Sequence, residues 1–549
     1  MARKRSKVKE LLSLRLMKEI VAVYLFLIFA VYPLYYEDKY FNMGEAKWNF
    51  FRTVSYYFHT DAISWLYIPT FLFFMVVIFI WYLFDLKKED KLKFSLQDIK
   101  GAVITDKFVL AYLILMAFST LISPYKDYII WGYEGWYMGF VAQLAFVLLY
   151  YFVSRFYRWD EILIIVYMAV SAAVFLLGVL NRFLVDPLQM YVNLDEGYIA
   201  QFLSTLGQST WYSSYMVIMM PIGVFAFWFY EKKWVRIAWG AYTALAFMTF
   251  ITQDSDSAFY AFLAFMSVLF FFSFNENRLM KNFLEVCLIA LLSWRVIGWL
   301  QMALPDRAVK LGGMMTFMTQ SPLLWIPIIV FAALYVLVLK GIKEGKLEIA
   351  NFKKIRYIYF IVLGAGIFLG VIYIVLNSKG LLPEALSTDN NYLYFDGWNW
   401  GNNRGLSWVV TVKSFFDTMT DDPLRFLFGA GPDGFYNTVY KYHQAELFEK
   451  FGENTILTCA HNEWMTQIIN TGVLGGIAYI GIFIAAIKRF GAKVKEVPEL
   501  VAPIMCIVAY MSHNFFCYQQ IICTPVIFII IGVGECLSRI GKVPIWEAD

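Results

Sequence analysis

A histidine and an arginine in one polar stretch of the sequence have side chains that could do chemistry. His461, in CAHNEW, stands just before an apolar run, where an imidazole could take a proton from a sugar hydroxyl. Arg404, in NNRGLSW, suits a pyrophosphate, because a guanidinium binds phosphate oxygens in pairs and keeps its charge. The alternatives are a histidine that caps or packs the start of a helix, and an arginine that is solvated or contacts lipid headgroups.

Arg295 and two aspartates are the other candidates. Arg295, in LLSWRVIGWLQ, lies inside an apolar run, where a charge is costly and by default functional, with an acid or a phosphate as its partner. A structural salt bridge, for example with Glu285, is the alternative. Asp254 and Asp256, in TQDSDSAFYAF, could bind a divalent cation or act as acid and base, or they could form a solvated turn.

Three glycines raise the question of a nucleotide site. In FLFGAGPDGFYN, Gly429, Gly431 and Gly434 have the spacing GxGxxG, which in a dinucleotide site follows a buried strand within a βαβ unit. Here the glycines lie between two amphipathic helical patterns, which disfavours a nucleotide. We expect a sharp turn, for which glycine has the conformational freedom, and this turn sets the helix of Arg404 against the segment that ends in His461.

The composition predicts the scaffold that positions these residues. Of the 549 residues, 60% are hydrophobic, 19% are aromatic and only 16% are charged. The hydrophobic fraction exceeds the fraction that the core of a soluble protein requires. Apolar runs of about 20 residues, enough to cross a bilayer, recur along the chain. We therefore predict an all-α polytopic membrane protein with about 12–14 transmembrane helices. The predicted spans are 17–36, 64–84, 105–123, 136–156, 161–180, 210–230, 236–252, 258–274, 283–302, 322–340, 356–376, 464–487, 498–515 and 519–538.

The distribution of the 46 Lys and Arg residues predicts the orientation, because short loops rich in them stay in the cytoplasm. Most of them, including Arg3, Lys88, Lys353 and Arg489, fall on one side when both termini are placed in the cytoplasm. The net charge of +4 then reflects orientation in the lipid bilayer, and we expect no nucleic-acid partner. The basic N-terminus lacks a cleavage site after its apolar run and is predicted to be an uncleaved anchor. The six cysteines have neither zinc-ligand spacing nor a disulfide framework.

Most of the polar mass on the predicted outer side lies in one loop, 377–463. Within it, NNRGLSWVVTVKSFFDTM repeats apolar residues at helical spacing. The following DDP is expected to end that helix, since the residue before proline disfavours the helical region. FYNTVYKYHQAELFEKF reads as a second amphipathic helix. The loop is therefore predicted to be a helical cap on the outer membrane face.

The order of these features resembles a known family. A long outer loop before the final spans, NRGLSW, PLRFLFGAGPDGF and HNEWMTQIINTGVLGGIAYIGIF resemble the O-antigen ligase and O-antigen polymerase superfamily, most clearly over 253–483. LGQSTWYSSYMVIMMPIG and SPYKDYIIWGYEGW look like its upstream signatures. The resemblance divides the chain into N-terminal transmembrane helices, 1–252, and a ligase-like region, 253–549, which contains the loop 377–463.

The resemblance implies a function and a location. It implies an enzyme of the bacterial cytoplasmic membrane, with a fold similar to that of helical membrane glycosyltransferases. Such an enzyme moves a glycan from undecaprenyl pyrophosphate, on the outer face, to an acceptor that is a lipid, another glycan or a protein. Neither a metal nor a cofactor is implied. Arg404 matches the arginine of the family's loop, and His461 matches the histidine thought to assist the acceptor hydroxyl.

One departure from the family concerns the hairpin after Gln253. The family usually has Ser-Arg-Gly-Ala there, and its arginine is thought to bind carrier phosphate, whereas this chain has Asp256 or a neighbouring serine. Either another basic residue, such as Arg295, Arg307 or Lys310, has that task, or the donor geometry differs.

Two alternatives for the function stay open. A ligase and a polysaccharide polymerase share the donor and differ in the acceptor, and the sequence does not separate them. A lipid-linked oligosaccharide flippase or another transporter is the alternative of a different class. Transporters favour internal repeats and broken helices with polar groups near the midplane, and Arg295 is the one residue here of that kind.

Overall fold

The computed structural model describes residues 11–91, 101–192 and 194–540, and these are mostly helical. We number the helices within these residues in chain order. They are α1 Leu12–Phe26, α2 Met43–Ser55, α3 Phe71–Lys88, α4 Ile104–Ile122, α5 Lys126–Ile129, α6 Phe140–Phe156, α7 Glu161–Arg182, α8 Glu196–Ile199, α9 Ser209–Phe229, α10 Lys233–Thr252, α11 Ser257–Ser273, α12 Asn277–Ala303, α13 Gly313–Gln320, α14 Trp325–Lys343, α15 Lys354–Ser378, α16 Trp400–Asp421, α17 Pro423–Phe428, α18 Phe435–Phe451, α19 Glu463–Lys493, α20 Val501–His513 and α21 Thr524–Ile540.

Eight helices in the described ranges are long and apolar enough to cross a membrane. They are Ile104–Ile122, Glu161–Arg182, Ser209–Phe229, Lys233–Thr252, Asn277–Ala303, Pro322–Lys343, Ile349–Ser378 and Glu463–Lys493. The strands of the described residues form two short antiparallel hairpins, Tyr57–Phe58 with Ile68–Pro69 and Phe202–Leu203 with Gly207–Gln208. The described residues therefore confirm the prediction of a helical chain with helices that are long and apolar enough to span a membrane.

Each of the predicted spans overlaps a helix, and the two stretches after Pro498 are separate helices, α20 and α21. The second span was predicted to start at residue 64, and the structure shifts this boundary. Helix α3 starts only at Phe71, because Ile68–Pro69 pairs with Tyr57–Phe58 instead.

The centre of the bundle is formed by α4, α6, α9, α19, α20 and α21. Helix α19 packs along α4, α21 along α6, and α20 along both α9 and α11. In contrast, α14 and α15 each bury one residue, Ile328 and Asn377. Their exposed faces carry large apolar side chains such as Ile361 and Phe368, as expected of helices that contact lipid.

A buried ionic cluster joins four of these helices at the end of the bundle that contains Asp106. The Asp106 carboxylate accepts from Arg155 at 2.9 Å and from Arg539 at 2.8 Å. Glu535, which has no exposed side-chain surface, binds Arg489 at 2.7 Å and Arg539 at 2.9 Å. Removing one member would leave buried charges without partners, which is strongly destabilising.

Residues 379–462, which we call the cap, cover the other end of α4 and α19. Helices α16 and α18 of the cap span the two amphipathic patterns and confirm that prediction. Helix α16 ends at Asp421, and Pro423 starts the short helix α17. The cap and the start of α19 share a small apolar core, in which the buried residues are Leu406, Val410, Phe435, Val439, Tyr440, Leu447, Leu457, Ala460 and, from α19, Ile469.

Candidate functional site

The glycine turn of the cap docks onto a kink in α19. Gly472 has φ +72° inside that helix, and Gly429 has φ +82° in the turn. A Cβ on Gly429 would lie 2.3 Å from the Asn470 carbonyl oxygen, and one on Gly472 would lie 2.3 Å from the Leu427 carbonyl oxygen. The N–H of Gly431 donates to the Asn470 carbonyl at 2.9 Å. These glycines therefore allow two backbones to touch, with no strand nearby of the kind that a dinucleotide site requires.

Arg404 lies at the start of α16, where the helix is irregular. Gly401 and Asn403 have φ of +60° and +67°, and Nη1 of Arg404 donates to the Gly401 carbonyl at 3.0 Å. Within the described ranges no carboxylate forms an ion pair with Arg404, whose side chain is half-buried. The start of α16 therefore presents a cation that forms no ion pair with the carboxylates of the described residues.

Two tryptophans fix the position of this helix start. The Trp408 ring stacks on Phe516 with centroids 5.9 Å apart, and Trp400 packs against Trp408 at 5.0 Å. Phe516 belongs to the loop 514–523 between α20 and α21. Arg404, between the two tryptophans, is thereby held over that loop.

His461 lies where the cap returns to α19. Its φ is +51°, a conformation that a residue with a Cβ adopts only when the surrounding structure enforces it. The ring meets the Tyr518 ring edge-on at 5.2 Å. In the described part of the chain its side chain makes no hydrogen bond, so both ring nitrogens keep their capacity for a ligand.

Burial and the charge of Arg404 together lower the pKa of His461 to about 4. The imidazole is consequently neutral at pH 7 and able to accept a proton. The dependence on Arg404 also shows that the two side chains are close enough to interact electrostatically. His461 thus lies within the electrostatic range of Arg404.

Glu463, which sequence reasoning left unassigned, organises the base of the site. It is 1% exposed and accepts from the hydroxyls of Tyr479 at 2.5 Å and Tyr510 at 2.8 Å, and from the side-chain amide of Asn514. Its own N–H donates to the Asn514 carbonyl at 3.0 Å. Glu463 therefore ties the start of α19, two residues after His461, to α20 and to the loop 514–523.

His513 is fully buried. Its Nε2 lies 3.0 Å from Ser213 Oγ and 3.1 Å from Ser257 Oγ, and its Nδ1 lies 2.9 Å from Asn514 Oδ1. Protein groups contact both ring nitrogens of His513, which therefore links α9, α11 and α20. It leaves His461 as the histidine of this site that is free to react.

The two hairpin aspartates have different partners and do not form one site. Asp254 accepts from the Gly312 N–H at 2.8 Å, and burial raises its pKa. Asp256 instead accepts from the Tyr392 hydroxyl of the cap. No three His, Cys, Asp or Glu side chains converge as a metal site in the part of the chain that the structure describes. The six cysteines are all buried and unpaired.

Arg295 is buried, and its partners are carbonyls. Its Nη2 donates to the Ser321 carbonyl at 2.6 Å and its Nη1 to the Gln320 carbonyl at 3.3 Å, at the C-terminal end of α13. The acid suggested as its partner, Glu285, instead pairs with Arg236 and Lys281. The salt bridge with Glu285 is therefore wrong, and Arg295 is held by the negative end of a helix dipole.

Arg307 and Lys310 follow α12 and are both exposed. Arg307 ends a short 3₁₀ turn, Pro305–Arg307. No described contact joins Arg295, Arg307 or Lys310 to Arg404 or His461.

Arg182, at the end of α7, is a cation that sequence reasoning missed. It is 1% exposed, and its Nε donates to the Thr252 carbonyl at the base of the hairpin at 2.7 Å. Its Nη1 and Nη2 are buried and have no hydrogen-bond partner among the described residues, and Asp254 is near enough for its charge to act on Arg182. In the sequence, Arg182 stands at the end of an apolar run and resembles a loop residue. Its burial is visible only in the structure, where a buried arginine normally has hydrogen-bond partners.

No known protein-family model matches the chain, and no curated protein is significantly similar to it.

Proposed function

We propose that this protein is a membrane glycosyltransferase that moves a glycan from undecaprenyl pyrophosphate to an acceptor hydroxyl. The observation that carries the proposal is a pair within the cap: Arg404, which makes no ion pair with a described carboxylate, and His461, whose neutral ring makes no hydrogen bond in the described part of the chain. A cation and a base are the two groups that transfer from a diphosphate to a hydroxyl requires.

Arg404 binds the diphosphate of the donor in this mechanism. The polyprenyl chain enters sideways from the bilayer between helices, and the guanidinium takes two phosphate oxygens. As the bond between the anomeric carbon and the diphosphate oxygen breaks, negative charge grows on the leaving group, where a fixed cation stabilises it most. A second cation completes the clamp. Arg295 and Arg307 were proposed for it from the sequence, and Arg182 is the one that lies against the hairpin.

His461 takes the proton of the acceptor. The acceptor oxygen attacks the anomeric carbon while its proton passes to a ring nitrogen, and the carrier leaves as the diphosphate. A base of pKa about 4 is weak on its own. Binding of the anionic donor offsets the charge of Arg404, which raises the pKa of His461 and strengthens the base at the step where it acts.

The cap serves to keep water away from the anomeric carbon, since water would otherwise compete with the acceptor. Helices α16 and α18 close over the site, and the turn at Gly429 holds them on α19. No metal and no cofactor take part in the proposed reaction.

The proposed setting is the cytoplasmic membrane of a bacterium. Beyond the eight helices that satisfy the length and composition of a span, we propose that the shorter apolar helices, such as Phe140–Phe156 and Ser257–Ser273, also cross, which gives about 12–14 spans. Both termini then lie in the cytoplasm and the cap lies outside. The proposed partners are the lipid bilayer, the lipid-linked glycan and a glycan, lipid or protein acceptor, in an arrangement similar to that of other helical membrane glycosyltransferases.

Ligase and polymerase differ only in the acceptor. In a strain that lacks the gene, a ligase defect removes the glycan from its final attachment, whereas a polymerase defect changes the distribution of chain lengths. Mass spectrometry of the envelope glycans of the deletion strain beside its parent separates the two.

Purified protein in detergent separates transfer from transport. With a labelled polyprenyl-diphosphate glycan and an acceptor, a transferase joins the two although there is no membrane to cross. A flippase or transporter leaves both unchanged, and that result with folded protein would overturn the proposed function.

A further inference from the structure

Helices α11 and α15 touch in one region and leave an open space between them on the side of the cap. At the contact, the Tyr359 hydroxyl of α15 lies 2.7 Å from Ser267 Oγ of α11, and the Tyr359 ring lies 4.9 Å from the Phe270 ring. Between this contact and Asn377, which bonds to the cap, every described residue of α15 keeps exposed surface. We call the space between α11 and residues 361–372 of α15 the slot.

Two glycines form the wall of the slot on α15. Gly366 and Gly370 follow Tyr359 by 7 and 11 residues, about two and three helical turns, so they lie on the face of α15 that carries Tyr359. The spacing GxxxG commonly lets two membrane helices touch. Here, however, a Cβ on either glycine would meet nothing within 4 Å. The face of α15 that is turned to α11 is therefore open.

The wall of the slot on α11 is apolar and also uncovered. Tyr260 and Leu263 precede Ser267 by 7 and 4 residues and lie on the same face of α11. Their side chains are 45% and 42% exposed, although the neighbouring Phe262 is buried. From Ser267 to the start of α11 at Ser257 the helix rises about 15 Å, which is about half of the hydrocarbon core of a bilayer. The slot therefore extends over roughly one leaflet.

The cap end of the slot leads to Arg404. The Tyr260 ring packs on Phe516 at 4.9 Å, and Phe516 supports the start of α16, where Arg404 lies. One turn before Tyr260, the Asp256 carboxylate accepts from the Tyr392 hydroxyl of the cap. Burial and Asp256 raise the pKa of Tyr392 to about 12, and the charge of Arg404 opposes that shift. The slot thus ends where the charge of Arg404 is felt.

The walls and the end of the slot together select one kind of ligand. Apolar walls that open to the bilayer suit a hydrocarbon chain and exclude a free sugar. The glycine face leaves room for methyl branches, because no side chain fills it. At the cap end, Arg404 makes no ion pair with a described carboxylate, so a phosphorylated head at that end would meet a cation.

We propose that the slot holds the isoprenoid tail of a polyprenyl diphosphate whose head lies at Arg404. The identity of this lipid as the glycan donor rests on the proposed function. Binding of an isoprenoid chain between α11 and α15 is tested without any transfer reaction.

The slot aligns the tail and contributes little to the affinity. A chain that moves from the bilayer into the slot exchanges lipid for apolar protein, and lipid tails are as apolar as leucine side chains. The affinity comes mainly from the charge-assisted hydrogen bonds of the diphosphate. A bulky side chain in the slot should therefore act by steric exclusion of the tail.

Gly366→Leu combined with Gly370→Leu fills the slot, and Gly364→Leu is the matched control. Gly364 stands two residues before Gly366 and lies on the nearly opposite face of α15. A Cβ on Gly364 also meets nothing within 4 Å. Leucine is a better helix former than glycine, so both variants should melt no lower than the wild type.

The probe is a polyprenyl diphosphate without a glycan, with a diazirine in its isoprenoid chain. The protein is placed in nanodiscs of phosphatidylethanolamine and phosphatidylglycerol, irradiated with the probe and digested, and the labelled peptides are identified by mass spectrometry. We expect label in 260–267 and 361–372 in the wild type and in Gly364→Leu. The double variant should carry roughly tenfold less label there, which corresponds to ~1.4 kcal/mol.

Competition and oligomeric state distinguish the other possible occupants. Unlabelled polyprenyl diphosphate should displace the probe, whereas added phosphatidylglycerol should not. Equal labelling of the double variant and Gly364→Leu, or equal competition by phosphatidylglycerol, would overturn the proposal. A wild-type dimer in light scattering that dissociates in the double variant would assign the slot to a second copy of this chain and would also overturn it.

Transfer by the same preparations separates this inference from the proposed function. The double variant should raise the KM for a donor with a long polyprenyl chain roughly tenfold, and it should leave the KM for a donor with two isoprene units unchanged. An unchanged KM for the long-chain donor would overturn the slot and keep the proposed function. Labelling of the slot without any transfer by the wild type would overturn the proposed function and keep the slot as a lipid site.

Discussion

Replacing Gly429 by alanine tests whether the glycine turn positions the site. The substitution has two consequences in the structure. The residue has φ +82°, which is unfavourable for alanine by about 1–2 kcal/mol. The new Cβ would also lie 2.3 Å from the Asn470 carbonyl oxygen and 2.4 Å from the Gly472 nitrogen.

Gly452 offers a matched control for the first of these effects. It has φ +79°, and a Cβ there would meet nothing within 4 Å. Both alanine variants therefore carry the same backbone strain, and only Gly429→Ala also forces the turn away from α19. A normal contact of about 3.5 Å requires a separation of about 1 Å more than the structure allows. Forcing such a shift costs about 1–3 kcal/mol beyond the control.

The shift reaches the proposed site through the hydrogen bonds of the turn. Ala430 and Gly431 donate to the carbonyls of Ile469 and Asn470, nine residues or fewer after His461. A displacement of about 1 Å between reacting groups can lower a rate about 100-fold. We therefore expect Gly429→Ala to lose most transfer activity and Gly452→Ala to keep it.

The assay compares melting temperatures in detergent, at one scan rate, with single-turnover transfer by the same preparations. Gly429→Ala should melt below Gly452→Ala, and Gly452→Ala should melt slightly below the wild type. Equal melting temperatures and equal rates for the two variants would show that the turn does not set the geometry of the site.

Three further predictions follow from the same contacts. The value of kcat/KM should fall at acid pH with a midpoint near 4, since the pKa of His461 is lowered to about 4 and the neutral ring is the active form; a midpoint at 6.5 in folded protein would contradict this. Glu463→Ala should lower the melting temperature more than Tyr479→Phe, because the first removes the charged acceptor of three buried donors, each costing about 1–3 kcal/mol when it is left unpaired. The second removes two hydrogen bonds, the one to Glu463 and the one that the Tyr479 hydroxyl accepts from Gln519 at 2.8 Å; equal losses would contradict the prediction. Arg182→Met and Arg182→Lys both remove the bond from Nε to the Thr252 carbonyl. Arg182→Lys should melt no higher than Arg182→Met, because it keeps a buried charge, yet only Arg182→Lys should keep part of the transfer activity; wild-type transfer by folded Arg182→Met would exclude Arg182 as the second cation.

The cap illustrates what the sequence alone could predict. Its two main helices followed from apolar residues at helical spacing, as Leu406 and Val410 show, and from the stop at Pro423. Such signals are local, because a helix that buries one face carries the pattern in its own sequence. The turn at Gly429 could be expected for the same reason, since a positive φ favours glycine.

The partners of buried polar residues could not be predicted in this way. Glu463 looked like a boundary residue, and only the approach of α20, more than 40 residues later, supplies Tyr510 and Asn514. Arg295 was expected to meet an acid, whereas the end of α13 provides carbonyls instead. These contacts depend on which helices become neighbours, and no local spacing in the chain records that choice.

The central claim is that Arg404 and His461 together transfer a glycan from a polyprenyl diphosphate. Its most direct test is the single-turnover rate of transfer in detergent, with a labelled donor at saturating concentration, for the wild type, Arg404→Ala and His461→Ala. His59→Ala is the matched control, since His59 stacks on Tyr67 in the hairpin before α3. We predict transfer by the wild type and by His59→Ala, and none by the other two variants, all of them folded. Full transfer by Arg404→Ala and His461→Ala would contradict the account.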